Sequence, residues 1–238
     1  MKPDYGIDAP GVIRNLVLTG ALLLIVAWFV PVLRLGPVSI AMGPMAWTVA
    51  AFLLLEAVLM VVYAKVGKFH HRDRMLNLVN WKGSESVLDV GTGRGLLMIA
   101  AAKKLTSGRS TGIDIWSKQD LSGNAIENTL RNAELEGVRE KVNVANGDAT
   151  KMQFADNTFD VVLSNLCLHN ISKREDRDRA CREIVRVLKP GGRAVISDFK
   201  NTAEYVEAFR SAGVNATRSG MDLLHTFPPL RIVDFTKP

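Results

Sequence analysis

The 238-residue sequence has only two cysteines, Cys167 and Cys181, too few for a disulfide framework or a four-cysteine zinc site. No metal-ligating pattern of His, Cys and acids stands out, and no metal site is expected. Aromatic residues make up 7% of the chain, and no stripe of aromatic and basic residues or appended basic module points to nucleic acid. No low-complexity tract or internal repeat is present, and the 47% hydrophobic content excludes wholesale disorder. Charge is missing from one region in particular. Residues 1–64 hold only Lys2, Arg14 and Arg34 against Asp4, Asp8 and Glu56, so the net excess of +6 lies wholly in residues 65–238.

The uncharged quarter contains two long apolar runs. Leu16 to Leu33 is 18 residues without a formal charge. As a helix it would span roughly 27 Å, close to the ~30 Å hydrocarbon core of a bilayer. Met45 to Ala64 is 20 residues interrupted only by Glu56, and Gly36, Pro37, Gly43 and Pro44 punctuate the link. Two such runs predict a membrane hairpin over residues 1–64. A cleaved signal peptide fits less well, because the first run is long for an h-region and a second follows it. Lys65, Lys68, Arg72 and Arg74 come directly after the second run, whereas the link carries only Arg34. The positive-inside rule then puts the C-terminal part on the cytoplasmic side of an integral membrane protein, with residues 65–85 as a basic juxtamembrane linker or helix. Glu56 is costly inside a bilayer and reads either as a protonated or hydrogen-bonded helix-contact residue or as a proton relay.

Residues 86–238 alternate strand-like and helix-like segments. SVLDV (86–90), STGID (110–114), VNVAN (142–146), DVVLS (160–164) and RAVISDF (193–199) read as strands, with terminal strands at 214–219 and 230–235. Helical patterns cover 96–105, 122–136 and 202–212, and Ser172–Glu175 has capping-box spacing ahead of another helix. The fold class expected is α/β: a Rossmann-like, open, mostly parallel seven-stranded sheet with helices on both faces, preceded by two transmembrane helices.

Asp89-Val90-Gly91-Thr92-Gly93-Arg94-Gly95 is the most informative stretch. Closely spaced glycines after a strand let the backbone turn tightly and approach a ligand. The dinucleotide fingerprint would need glycine at 96, where Leu96 stands, so a nicotinamide oxidoreductase is disfavoured. Asp89 lies inside the first strand, where a carboxylate can meet a cationic group. Asp114 closes the second strand, 25 residues later, placed to accept ribose hydroxyls, and Asp148 follows the third strand, where it could meet an exocyclic amine.

The motifs VLDVGTGRG, GIDIW, NGDATKMQFADNTFDVVLSN and RVLKPGGRAVISDF, in that order, resemble the class I S-adenosylmethionine-dependent methyltransferases. The chain looks most like the small-molecule and lipid group that includes the ubiquinone/menaquinone C-methyltransferases. The resemblance covers Ser86 to Phe199 and implies S-adenosylmethionine as cofactor. Asp89 and the loop Gly91, Thr92, Gly93 and Gly95 would hold its amino-acid moiety, and Asp114 its ribose. Ile115 and Trp116 would pack on the adenine, although Trp116 reads equally well as a surface-anchoring aromatic. Asp148 and Ala149 would meet the adenine edge, and Asn165 would line the methyl-donor end.

His169, just beyond the fourth strand, is the better candidate base, or else a pocket-shaping residue. Asp198, ending the fifth strand, is the weaker candidate. Ser164-Asn165-Leu166-Cys167 stands where amide-type N-methyltransferases carry N/D-P-P-Y/F, so that chemistry is disfavoured. The expected function is membrane-anchored methylation of a small, apolar or membrane-associated acceptor, with the bilayer and that acceptor as partners. The alternatives are a soluble acceptor with the hairpin as mere anchor, or a non-catalytic cofactor-binding scaffold.

Overall fold

A computed structural model of the chain describes residues 2–238. Two long helices precede the sheet, α1 (Pro10–Phe29) and α2 (Met42–Val62). Both are long and apolar enough to cross a membrane. Their large side chains point outward: Leu18, Leu22, Ile25, Phe52, Leu55 and Val58 are all more than half exposed. Small residues form the seam between them, with Gly20 and Ala27 buried on α1 and Gly43, Ala46, Ala50 and Ala57 on α2. A Cβ at Gly20 would stand 2.9 Å from the Leu54 side chain, so the helices meet almost backbone to side chain.

The first helix is shifted from its expected span. It begins at Pro10 and ends at Phe29, before Pro31 removes a backbone donor. The link is not an irregular turn either. β1 (Val32–Leu35) pairs antiparallel with β2 (Val38–Ala41) around Gly36-Pro37. Residues 4–9, read as part of the hairpin segment, pack instead on the sheet domain. Tyr5 is buried against Met98 and Ile99, and the backbone of Asp8 bridges to Leu121.

α2 continues through one π-helical turn (Tyr63–Gly67) into α3 (Lys68–Leu76), forming an unbroken rod over Met42–Leu76. Lys68, expected to be one of the charges at the membrane surface, is 3% exposed. Its ammonium donates to the carbonyls of Tyr5 (2.8 Å) and Gly6 (2.7 Å) and contacts Asp8 at 3.4 Å. A buried ammonium has to find acceptors at this density, and residues 5–8 supply them.

The sheet contains β3 (Ser86–Val90), β4 (Arg109–Asp114), β5 (Val142–Asn146), β6 (Phe159–Asn165), β7 (Leu188–Asp198), β8 (Thr217–Arg218) and β9 (Arg231–Thr236). Its order is β5-β4-β3-β6-β7-β9-β8, with β9 antiparallel to β7 and β8 to β9. Between them run α4 (Leu96–Ala102), α5 (Ile126–Leu135), α6 (Arg174–Val187) and α7 (Thr202–Ser211). α6 and α7 pack on the face bearing Leu88, Val162, Ala194 and Ile196. α3 and α4 cover the other, bearing Val87, Val161, Leu163 and Val195. The Ser172 capping box does not form: the N-cap is Lys173, without a side-chain cap bond, and the Ser172 carbonyl accepts from Arg177. β4 and β6 lie on opposite sides of β3, so the strand order reverses at β3 and a crevice opens at its carboxyl end.

Candidate active site

The loop after β3 is built around backbone conformations that suit glycine. Gly91, Gly93 and Gly95 have φ of 74°, 53° and 86°. The Gly91 and Thr92 amides both donate to the Ile113 carbonyl, at 2.9 and 3.0 Å, which ties the loop to β4. A Cβ on Gly91 would lie 2.3 Å from Cys167 Sγ, so the loops after β3 and β6 touch only because residue 91 has no side chain.

Asp89 is 1% exposed. Its Oδ2 accepts from the Thr92 hydroxyl (2.8 Å) and the Met98 amide (2.9 Å), bracing the loop against the first turn of α4. Oδ1 accepts neither bond. Burial pushes the carboxyl up to about 7, against the smaller opposing pull of those two hydrogen bonds. Asp114 Oδ2 accepts from the Gly93 amide (2.8 Å). Its Oδ1 accepts from the Trp116 amide (2.6 Å) and the Asn124 side chain (3.2 Å).

The remaining expected residues spread along the same sheet edge. Ile115 is 71% exposed, a bare aliphatic surface beyond β4. Trp116 is held at φ 62°, and its indole donates to Asn146 Oδ1 at 2.5 Å. Asp148 is exposed and caps its own turn by accepting from the Thr150 amide and hydroxyl, both at 2.8 Å, while Ala149 turns into the core. Asn165 Oδ1 is buried without a hydrogen-bond partner. Cys167 lies within electrostatic reach of Asp89, Asp114 and Asp198, and burial among them raises its thiol far above the usual range.

His169 and Asp198, expected as separate candidates, form a pair. Nδ1 of His169 lies 2.7 Å from Asp198 Oδ1, a close contact without hydrogen-bond alignment. Asp198 is fully buried. It accepts from the His169 amide (3.0 Å) and the Tyr205 hydroxyl (3.1 Å) through Oδ2, and from the Phe199 amide (3.0 Å) through Oδ1. These contacts fix the Asp198 carboxylate directly against the His169 ring. The Phe199 ring, 4.7 Å away, packs edge-on against the imidazole.

Residues 88–196 match the model of a methyltransferase domain. The fold is that of a class I S-adenosylmethionine-dependent methyltransferase. The ubiquinone/menaquinone biosynthesis C-methyltransferase of Ruegeria sp. (strain TM1040) is 30% identical over 128 residues, covering 54% of this chain and 48% of that protein. The chloroplastic 2-phytyl-1,4-beta-naphthoquinone methyltransferase of Arabidopsis thaliana is 33% identical over 135 residues, covering 55% and 49%. The chain thus spans about half the length of the curated relatives it matches. Among solved structures, the [4+2]-cyclase SpnF superposes with a TM-score of 0.60 at 20% identity, over 71% of this chain and 80% of that one.

The cofactor of this methyltransferase fold is S-adenosylmethionine, and the residues present fit it. Asp89 Oδ1 takes neither of that carboxylate's two hydrogen bonds and could meet an ammonium group, Asp114 and Asn124 could meet ribose hydroxyls, and exposed Ile115 could meet an apolar base face. The motifs did not disclose a second layer around the methyltransferase loop. Asn132 donates to the carbonyls of Asp4 and Arg94, both at 2.9 Å, and Arg94 pairs with Asp4 at 3.0 Å. This clamps the N-terminal residues over the outside of the glycine loop. A lone Asp ahead of an apolar run gives no sequence sign of such a role.

Proposed function

We propose that this protein is a membrane-anchored methyltransferase acting on a small acceptor with an apolar tail, of the quinone type named for its relatives and in a hydroxylated, electron-rich form. One observation carries the reading. The second apolar helix runs through the π-helical turn into α3, which packs on the sheet, and this rod brings Tyr63 and His71 to the sheet's carboxyl edge. An acceptor dissolved in the bilayer would need only to follow that helix to reach the cofactor. Trp28, Phe29 and Trp47, all at least half exposed near the β1–β2 end, suit the opposite interface. Lys65 and Arg72, with Lys2 and Arg14 on the same side, favour a cytoplasmic sheet domain.

S-adenosylmethionine supplies a methyl group already activated by its sulfonium centre. The chain's task is to hold the acceptor carbon in line with that methyl, exclude water and remove one proton. The methyl would pass from sulfur to the acceptor carbon with the bonding pair left on sulfur, and the acceptor would have to lose a proton. We assign its removal to His169. With Asp198 against Nδ1, a proton on that nitrogen would be held by the carboxylate and Nε2 would be left to accept. Asp198 is a positioning residue in this scheme.

A second reading comes from the shared fold of a protein named as a [4+2]-cyclase: a cofactor-binding domain without methyl transfer. Full-length protein in lipid nanodiscs, given methyl-labelled cofactor and a total lipid extract, separates the two. Label in a lipid product identified by mass spectrometry supports the enzyme. Binding of cofactor with no transfer to any lipid or aqueous fraction supports the second reading.

A further inference from the structure

Tyr63 and His71 lie two turns apart on the rod joining α2 to α3, with Gly67 between them, and all three are buried. Tyr63 is 4% and His71 1% exposed. They meet two residues on neighbouring parallel strands. Asn165 and Ser197 are register partners at the carboxyl ends of β6 and β7, on the face that α3 covers. His71 Nε2 lies 2.7 Å from Ser197 Oγ, and the Tyr63 hydroxyl stands beside Asn165.

The cluster is nevertheless incomplete. Tyr63 Oη and Asn165 Oδ1 are buried within reach of one another without an aligned hydrogen bond, and His71 Nδ1, on the side of the imidazole away from Ser197, is a third buried atom without one. Three buried polar atoms without an aligned partner along one helix–sheet seam are uncommon in a folded interior and leave bonds for a further partner. Their chemistry restricts that partner. Asn165 Oδ1 can only accept, so it needs a donor; the Tyr63 hydroxyl, not aligned on that oxygen, keeps a proton to give. A hydroxyl satisfies both, since it donates one bond and accepts others. A carbonyl can only accept, and an alkyl group can do neither.

We propose that Tyr63, Asn165 and His71 form a binding site for a hydroxyl group of the acceptor, one that distinguishes a hydroxylated ring from its oxidised or deoxygenated counterpart. The inference rests on the methyltransferase reading above and deepens it. The π-helical turn over Tyr63–Gly67 supports it: such turns widen a helix locally and recur at functional sites. The site is closed behind by the loop at 222–229. A Cβ on Gly67 would lie 2.4 Å from the His225 carbonyl oxygen, and Arg74 holds Asp222 at 2.8 Å. The acceptor's apolar tail would then lie along α2 in the bilayer.

The test uses full-length protein in nanodiscs saturated with S-adenosylhomocysteine. Retention of three labelled probes is measured relative to protein-free nanodiscs: decyl-1,4-benzenediol, decyl-1,4-benzoquinone and decylbenzene. The wild type should retain the diol at least tenfold more tightly than either of the others. Tyr63→Phe removes one hydroxyl and should reduce that preference to threefold or less, with S-adenosylhomocysteine affinity unchanged within twofold. His71→Gln should act in the same direction. Absence of any preference in the wild type overturns the proposal. So does its full retention in Tyr63→Phe, or an equal weakening of all three probes, which marks a merely structural tyrosine. Failure of the wild type to bind S-adenosylhomocysteine would instead refute the functional reading on which the site depends.

Discussion

Replacing Asp89 by Asn should make the unliganded protein more stable and a poorer binder of its cofactor. Asp89 is buried, and its carboxyl is raised from 3.8 to about 7. A group with a raised folded pKa adds stability below its unfolded pKa, and that contribution is lost as pH rises through the folded value. Over about three pH units, at ~1.36 kcal/mol each, keeping this carboxylate ionised costs about 4 kcal/mol above pH 7. Asn has the same shape, and its amide oxygen can accept the bonds now made by Thr92 and Met98. Denaturant unfolding of Asp89→Asn and wild type should agree below pH 4. The variant should then gain progressively from pH 4 to 7, and its advantage should level off above that. Calorimetry at pH 8 should show S-adenosylhomocysteine bound at least tenfold more weakly by the variant, about 1.4 kcal/mol. In the wild type, cofactor affinity should fall as pH drops below 7, because protonated Asp89 offers no negative charge to an ammonium group. A variant that is less stable at pH 8, or whose stability difference does not change with pH, would refute the argument.

Gly91→Ala combines a left-handed backbone with a Cβ 2.3 Å from Cys167 Sγ, so calorimetry should show at least a tenfold loss of S-adenosylhomocysteine affinity. Adding Cys167→Gly should recover part of it. Asp198→Asn frees the His169 ring from its anchor, and kcat should fall about tenfold or more. Cofactor affinity in that variant should stay within twofold, as measured by steady-state transfer and calorimetry together. Gly67→Ala leaves helical backbone unstrained but drives a methyl into the His225 carbonyl. Hydrogen exchange should therefore rise at residues 222–229, with a stability loss of about 1–3 kcal/mol.

The parts legible in the sequence are those written in local pattern. Each of the first four sheet strands falls within a residue or so of its β-rich run, because a strand of a mostly parallel sheet is written as one short unbroken β-rich segment. The glycine loop was equally legible, since positive φ at three alternate positions leaves few other residues possible. Long-range contacts were not. Lys68 and His71 sit in a stretch whose charge pattern reads as a topology determinant, and only the fold shows that their face of the helix turns inward. Asp4 and Tyr5 precede an apolar run and carry no motif, yet they clamp the glycine loop from outside. Asp198 and His169 were each visible as residues near a strand end. Their pairing required the loop after β6 to fold back beside β7. A consequence for experiment is that deleting residues 1–64 removes part of the sheet domain along with the two apolar helices.

The most direct test of the account is transfer itself, with intact protein in nanodiscs, methyl-labelled S-adenosylmethionine and a lipid extract. The account predicts label in a hydroxylated ring lipid, formed in step with S-adenosylhomocysteine. Label confined to a water-soluble acceptor, or tight cofactor binding with no transfer at all, would contradict it.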